Sequence, residues 1–102
     1  AEIAAVDGID GLFMGPSDLS ANLGMYGEWD SDEFMDAVDT ILAAADSAGT
    51  PVSTLTTDPA DITKWMNVGF DFLMAGTDSS HLVRGAENAL ATFNEAVENR
   101  DN

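Results

Sequence analysis

The sequence predicts an α/β fold assembled from strand–helix units. Three observations lead there. Apolar or β-branched runs of strand length recur at 9–14, 51–56 and 70–75. The segments that follow them place apolar residues at helical spacing. Strand and helix therefore alternate three times, and such alternation means parallel strands joined by right-handed crossovers. No repeat beyond the βα unit, no low-complexity stretch and no linker interrupts the order. On these grounds alone a small open sheet and a piece of a barrel are equally allowed.

Residues 1–5 read as the last turn of a helix, with Gly8 close by to end it. Ile9–Met14 reads as a strand, and its consecutive Leu12, Phe13 and Met14 suit a parallel strand covered on both faces. Gly15 and Pro16 stop it, because Pro fixes φ and has no N–H for a ladder. Ser17–Leu23 reads as a short helix or turn. Residues 24–29, with two glycines, read as a loop. Asp30-Ser31-Asp32-Glu33 has the form of a capping box, with Asp30 at the N-cap and Glu33 three residues on. Phe34, Val38, Ile41, Leu42 and Ala45 then fall on one helical face until Gly49 ends the helix. Pro51–Thr56 is a β-branched run with Pro at its first residue, where Pro is tolerated. Asp58-Pro59 sets a cap before Pro at the first helical position. The helix from Ala60 to about Asn67 should turn Ile62, Trp65 and Met66 inward, with Gly69 closing it. Phe70–Ala75 is the third strand, left through Gly76-Thr77-Asp78. A last helix over 79–98 carries Leu82, Val83, Ala86, Leu90, Phe93 and Val97 on one face.

Length and charge narrow the function classes. A chain of 102 residues permits one domain at most. There is no cysteine, hence no disulfide framework and no thiolate site. No apolar run reaches the roughly 18 residues of a membrane span, and no signal peptide is visible. The expected location is cytoplasmic. The chain opens on Ala1 in what reads as a helix tail, so a cut or incomplete chain is expected. Nineteen acidic residues face Lys64, Arg84 and Arg100, for a net charge of −16. Nucleic acid and anionic membranes would repel such a surface. The acids are scattered rather than blocked, so they form no acidic tail. Periodic apolar residues argue against disorder. Scattered acids with one Lys suggest a protein suited to concentrated salt, where the Debye length is about 3 Å at 1 M. An ordinary acidic enzyme is the plainer alternative.

The chemistry concentrates where the first strand ends. There Leu12-Phe13-Met14 empties into Gly15-Pro16-Ser17-Asp18. Gly15 lets the backbone approach a ligand closely. Ser17 or Asp18 can cap the next helix turn, leaving free N–H groups that attract an anion. A carboxylate beside such groups can hold a divalent cation that the anion also coordinates. Read structurally, Asp18 is a helix cap and the turn is only a turn. Asp78 also follows a strand and reads as a cap. His81, the single histidine, reads as a surface or packing residue. Trp29 and Trp65 show no pattern for stacking on a ligand. Asp30-Ser31-Asp32 lacks the glycine and final glutamate of a calcium loop.

The stretch Gly11-Leu12-Phe13-Met14-Gly15-Pro16-Ser17-Asp18-Leu19-Ser20-Ala21-Asn22-Leu23-Gly24 resembles the signature of the HpcH/HpaI aldolases. These are class II, metal-dependent enzymes acting on pyruvate-type 2-oxo acids. The later segments fit as well, so the resemblance covers nearly all 102 residues, yet only the C-terminal part of the family's domain. It implies the last three βα units of a (β/α)8 TIM barrel, with 1–102 a fragment of one such domain. It implies that Asp18 is a metal ligand for Mg²⁺, Mn²⁺ or Co²⁺, and that Gly15, Pro16 and Ser17 cradle the substrate carboxylate through backbone N–H groups, Pro16 giving none. Leu55 matches a family position that lines the substrate pocket; as an ordinary core leucine it would need no such role. The family's second ligand is a Glu on the preceding strand, which Glu2 is not. Its catalytic His and carbonyl-polarising Arg also lie upstream, and Arg84 is not that Arg.

The implied reaction is reversible cleavage of a 4-hydroxy-2-oxo acid to pyruvate and an aldehyde. In it the metal acts as a Lewis acid on the 2-oxo acid. The partner is a small-molecule substrate, and the full-length parent is expected to be a homo-oligomer. Residues 1–102 alone are expected to be inactive. The alternatives are a citrate-lyase-β or malyl-CoA-lyase type of enzyme, or a noncatalytic acidic α/β packing module.

Overall fold

The structure is a computed structural model and describes residues 1–101. Three strands form one parallel sheet in sequence order: β1 Leu12–Phe13, β2 Val52–Thr56 and β3 Phe72–Ala75. Helices α1 Pro16–Asn22, α2 Asp32–Ala48, α3 Ile62–Val68 and α4 Asp78–Asp101 follow the strands, with a 3-10 turn at Pro59–Asp61 leading into α3. The alternation expected from the sequence is the alternation observed.

Register divides the sheet into two faces, because neighbours in register point to the same side. Leu12 pairs with Val52, and Thr54 with Leu73. This side meets α2 and α3, and the core of Met14, Phe34, Val38, Ala45, Val52, Trp65 and Phe70 forms there. Trp65 is its hub, edge-on to Phe34 at 6.2 Å and to Phe70 at 6.0 Å between ring centres. Such pairs add about 0.5–1.5 kcal/mol beyond area burial. The opposite side carries the row Phe13, Ser53, Phe72 and the pair Leu55, Met74. Phe13 and Phe72 are each 53% exposed.

Several local expectations need correction. Residues 1–5 form isolated turns, Ala5 N–H donating to Ala1 O at 3.1 Å, and no helix. The first strand is shorter than 9–14, because Ile9 N–H turns back to Val6 O at 3.2 Å. The cap of α2 is Ser31, whose Oγ accepts from Phe34 N–H at 3.3 Å. Asp30 instead pairs with Lys64, so the capping box does not form. Gly49 does end α2, at φ 68°. Met66 is 44% exposed rather than inward; its neighbour Trp65 takes the core position. Phe70 is buried but lies before β3, and Asp71 ties that turn to β2, its Oδ2 accepting from Val52 N–H at 2.8 Å. The capping expected of Asp78 falls to Thr77 and Ser80, whose hydroxyls each accept from the other's N–H at 3.1 and 2.8 Å. Asp78 Oδ1 takes only the adjacent Ser79 N–H.

The last helix runs longer than expected and stands away from the sheet. Leu82, Val83, Leu90, Phe93 and Val97 do lie at helical spacing, and all are exposed. At about 1.5 Å per residue it accounts for much of the molecule's 64 Å long axis.

Candidate active site

The turn after β1 is held from three sides. Met14 N–H donates to Ser53 O at 2.8 Å, and Thr54 Oγ1 donates to Met14 O at 2.8 Å. Both bonds anchor the end of β1 to β2, so the chain leaves the sheet at a fixed point. Pro16 then opens α1 at its first position, where a missing N–H costs nothing. Gly15 occupies the N-cap with no side-chain cap, so neither Ser17 nor Asp18 caps this helix. Leu19 N–H is the donor that returns to Gly15 O, at 2.9 Å. Buried Ser20 fastens the helix to the following loop: its Oγ donates to Ser17 O at 3.0 Å and accepts from Gly27 N–H at 3.2 Å.

Asp18 sits in the first turn of α1, exposed, with no hydrogen bond to its carboxylate. Its side chain folds back over Gly15. A Cβ placed at residue 15 would lie 3.2 Å from Asp18 Oδ2, so any larger residue would push the carboxylate away. What marks the glycine here is this close approach rather than φ, which is −82°.

Pro16, Ser17 and Leu55 line one cavity of about 80 Å³ at the carboxyl ends of β1 and β2. Three of the five residues expected from sequence thus converge; Gly15 and Asp18 adjoin the cavity along the chain without lining it. Trp29, Thr56, Thr57, Asp58 and Trp65 complete the walls. Sequence reasoning missed Trp29. It comes from a loop with no periodicity, and nothing local signals that it folds back on Pro16. Its indole N–H is buried and has no hydrogen-bond partner among the described residues. His81 is exposed and lies against Gly76 in the turn after β3, in keeping with a packing role.

As a metal donor, the unpaired carboxylate of Asp18 suits a hard divalent ion. It is one ligand only. Among the described residues no group of three or more His, Cys, Asp or Glu side chains could hold a metal.

The sequence profile of the HpcH/HpaI aldolase/citrate lyase family matches residues 1–85. The chain belongs to that family. It is 38% identical over 92 residues to a hydroxypyruvate/pyruvate aldolase of Roseovarius nubinhibens, covering 90% of this chain and 36% of that one. It is 37% identical over 93 residues to a 4-hydroxy-2-oxo-heptane-1,7-dioate aldolase of Salmonella paratyphi B, covering 91% and 35%. A crystal structure of a family protein from Burkholderia cenocepacia superposes with a TM-score of 0.83 at 34% identity, over 90% of this chain and 36% of that one. The chain thus spans about a third of the length of these family relatives. Among the described residues no helix is long and apolar enough to cross a membrane.

Proposed function

We propose that the chain is the last three βα units of a (β/α)8 barrel that cleaves a 4-hydroxy-2-oxo acid reversibly to pyruvate and an aldehyde. The observation that carries this is the turn at Gly15–Asp18. It puts a free carboxylate over a glycine at the carboxyl end of a parallel strand, where barrel enzymes keep their ligands.

In that reading each residue has a role. Asp18 is one ligand of a divalent ion, Mg²⁺, Mn²⁺ or Co²⁺. When bound, the ion supplies Lewis-acid polarisation of the 2-oxo acid. Ser17 and Asp18 precede the first intrahelical donor, so their N–H groups are free to orient the substrate carboxylate. Leu55 and Pro16 present apolar walls that exclude water from the carbon chain. Cleavage breaks the C3–C4 bond, the C4 hydroxyl gives up its proton, and C3 regains one to become the methyl of pyruvate. Asp58 is the carboxylate that lines the cavity at Pro16, Ser17 and Leu55, and His81, the single histidine, stands after β3 and does not line it.

The test is Asp18→Asn in the full-length protein. We expect a loss of more than about 100-fold in aldol turnover, beyond what loss of a ligand's outer partner costs, with the fold retained by circular dichroism. Unchanged activity with unchanged metal dependence would overturn the assignment.

A further inference from the structure

The loop between α1 and α2, residues 23–31, has no periodicity, yet it is tied down closely. Gly27 N–H donates to Ser20 Oγ at 3.2 Å, Met25 N–H to Ser20 O at 2.9 Å, and Ser31 Oγ to Met25 Sδ at 3.0 Å. Asp30 pairs with Lys64, whose ammonium lies 4.8 Å from the centre of the Trp65 ring. These ties seat Trp29 as a wall of the cavity at Pro16, Ser17 and Leu55. The seat is unfavourable for the indole N–H, which is buried with no hydrogen-bond partner among the described residues. The ring is therefore held by its loop's anchors and by packing on the core, not by its own polar group. Leu55 reaches the cavity from the side of the sheet away from the helices, and Trp65 from the core. Between these walls about 80 Å³ is left. A benzene ring takes an apolar cavity of about 150 Å³.

We propose that Trp29 is a specificity-determining residue that sets the upper size of the acceptor aldehyde. The proposal rests on the aldolase reading above, in which Pro16, Ser17 and Leu55 face the substrate. A short unbranched chain fits the space beside the indole, and an aryl group does not. The indole N–H is shut away, so toward an occupant the ring acts by shape alone. The other large walls are fixed by regular structure, Leu55 by β2 and Trp65 by α3. Trp29 comes from the loop, so shortening it widens the cavity without moving the strand ends. Removal of the indole should carry the cavity past the about 150 Å³ that an aromatic ring requires. Discrimination by an apolar wall follows the volume it excludes, and each methylene gained or lost is worth about 10–200-fold.

The experiment uses the full-length enzyme. Pyruvate is added to butanal and, separately, to benzaldehyde, both uncharged. Wild type should favour butanal. Trp29→Ala should raise the benzaldehyde-to-butanal ratio of kcat/KM by about tenfold or more. Trp29→Leu keeps a smaller apolar plug and disturbs the loop less, and it should raise the ratio in the same direction. If Trp29→Ala does not fold, Trp29→Leu decides. An unchanged ratio, or a wild-type preference for benzaldehyde, would overturn the proposal. Absence of wild-type turnover with both aldehydes would overturn the aldolase reading instead. Thermal melts with added benzene would then decide the size limit alone, since a ligand that enters the folded cavity raises Tm. A rise in Trp29→Leu that wild type lacks sustains Trp29 as the limiting wall, and an equal response in the two removes it.

Discussion

The two faces of the sheet are made by the same short strands from the same residue types, yet they end in opposite conditions. On the helix side Phe34 and Val38 are fully enclosed. On the other, Phe13 and Phe72 stand half in water. Apolar content does not separate them. What separates them is where the crossovers land. α2 and α3 return across one side only, and right-handed connection forces them both to that side. The bare face therefore needs a cover that helices of this chain do not give. A closed barrel gives it, since each strand's inward side chains are packed by those of other strands. In the proposed full-length enzyme the bare face is the barrel interior.

The sharpest way to break the comparison is Phe34→Ala. Phe34 is fully buried and edge-on to Trp65, so its removal should cost about 3–5 kcal/mol in a urea melt. That is a large share of the roughly 5–15 kcal/mol that holds a domain. A loss under about 1 kcal/mol would mean that α2 is not docked, and the covered face would not be covered.

A smaller effect should follow from Asp71→Ala, which acts on both faces through register. Asp71 Oδ2 accepts from Val52 N–H at 2.8 Å, and Asp71 N–H donates to Val52 O at 2.8 Å. Without the carboxylate the Val52 N–H at the head of β2 is left unpaired, at about 1–3 kcal/mol. Asp71→Asn keeps an acceptor and should lose less. Equal losses in the two variants would show that the charge, not the bond, matters there.

Next come the two neighbours before α2. Ser31→Ala removes the cap that accepts from Phe34 N–H and should cost about 1 kcal/mol. Asp30→Ala removes only a surface pair with Lys64 and should cost about 0–1 kcal/mol, less in high salt. The reverse order in thermal melts would restore Asp30 as the true cap.

What could be read from the sequence follows the same division. The alternation of strand and helix was legible, since each unit carries its own periodicity and stop signals. Gly49 and Pro59 placed a helix end and a helix start from backbone constraints that no tertiary contact overrides. Asp30 and Ser31 were not separable, because both are good caps and the choice went to the one whose neighbour found Lys64. Met66 was misread because a seven-residue helix offers too few turns to fix its phase. At the candidate site, Pro16 and Ser17 were singled out through the motif at 11–24 and Leu55 through its match to a family position, and the three line one cavity. Trp29 was not: its place beside Pro16 depends on how an aperiodic loop returns over the sheet.

The smallest effect expected in this chain is also the one that tests the comparison most directly. Phe72→Ser changes a side chain that is already 53% exposed and touches no helix-side core residue by register. In the chain alone it should move the urea midpoint by less than about 0.5 kcal/mol, as surface changes do. In the proposed full-length barrel the same residue would face other strands, and the cost should rise to the about 3–5 kcal/mol of a buried aromatic. Salt adds a second reading. A net charge of −16 keeps copies of the chain apart in dilute buffer. At 1 M KCl that repulsion is confined to about 3 Å, and the bare phenylalanines are free to meet. Sedimentation of the wild-type chain should therefore shift toward larger species as KCl rises, and Phe72→Ser should blunt the shift. Equal sedimentation of both chains at all salt concentrations would show that the bare face is not what drives association. An equal cost of Phe72→Ser in chain and barrel would show that it is not the barrel interior.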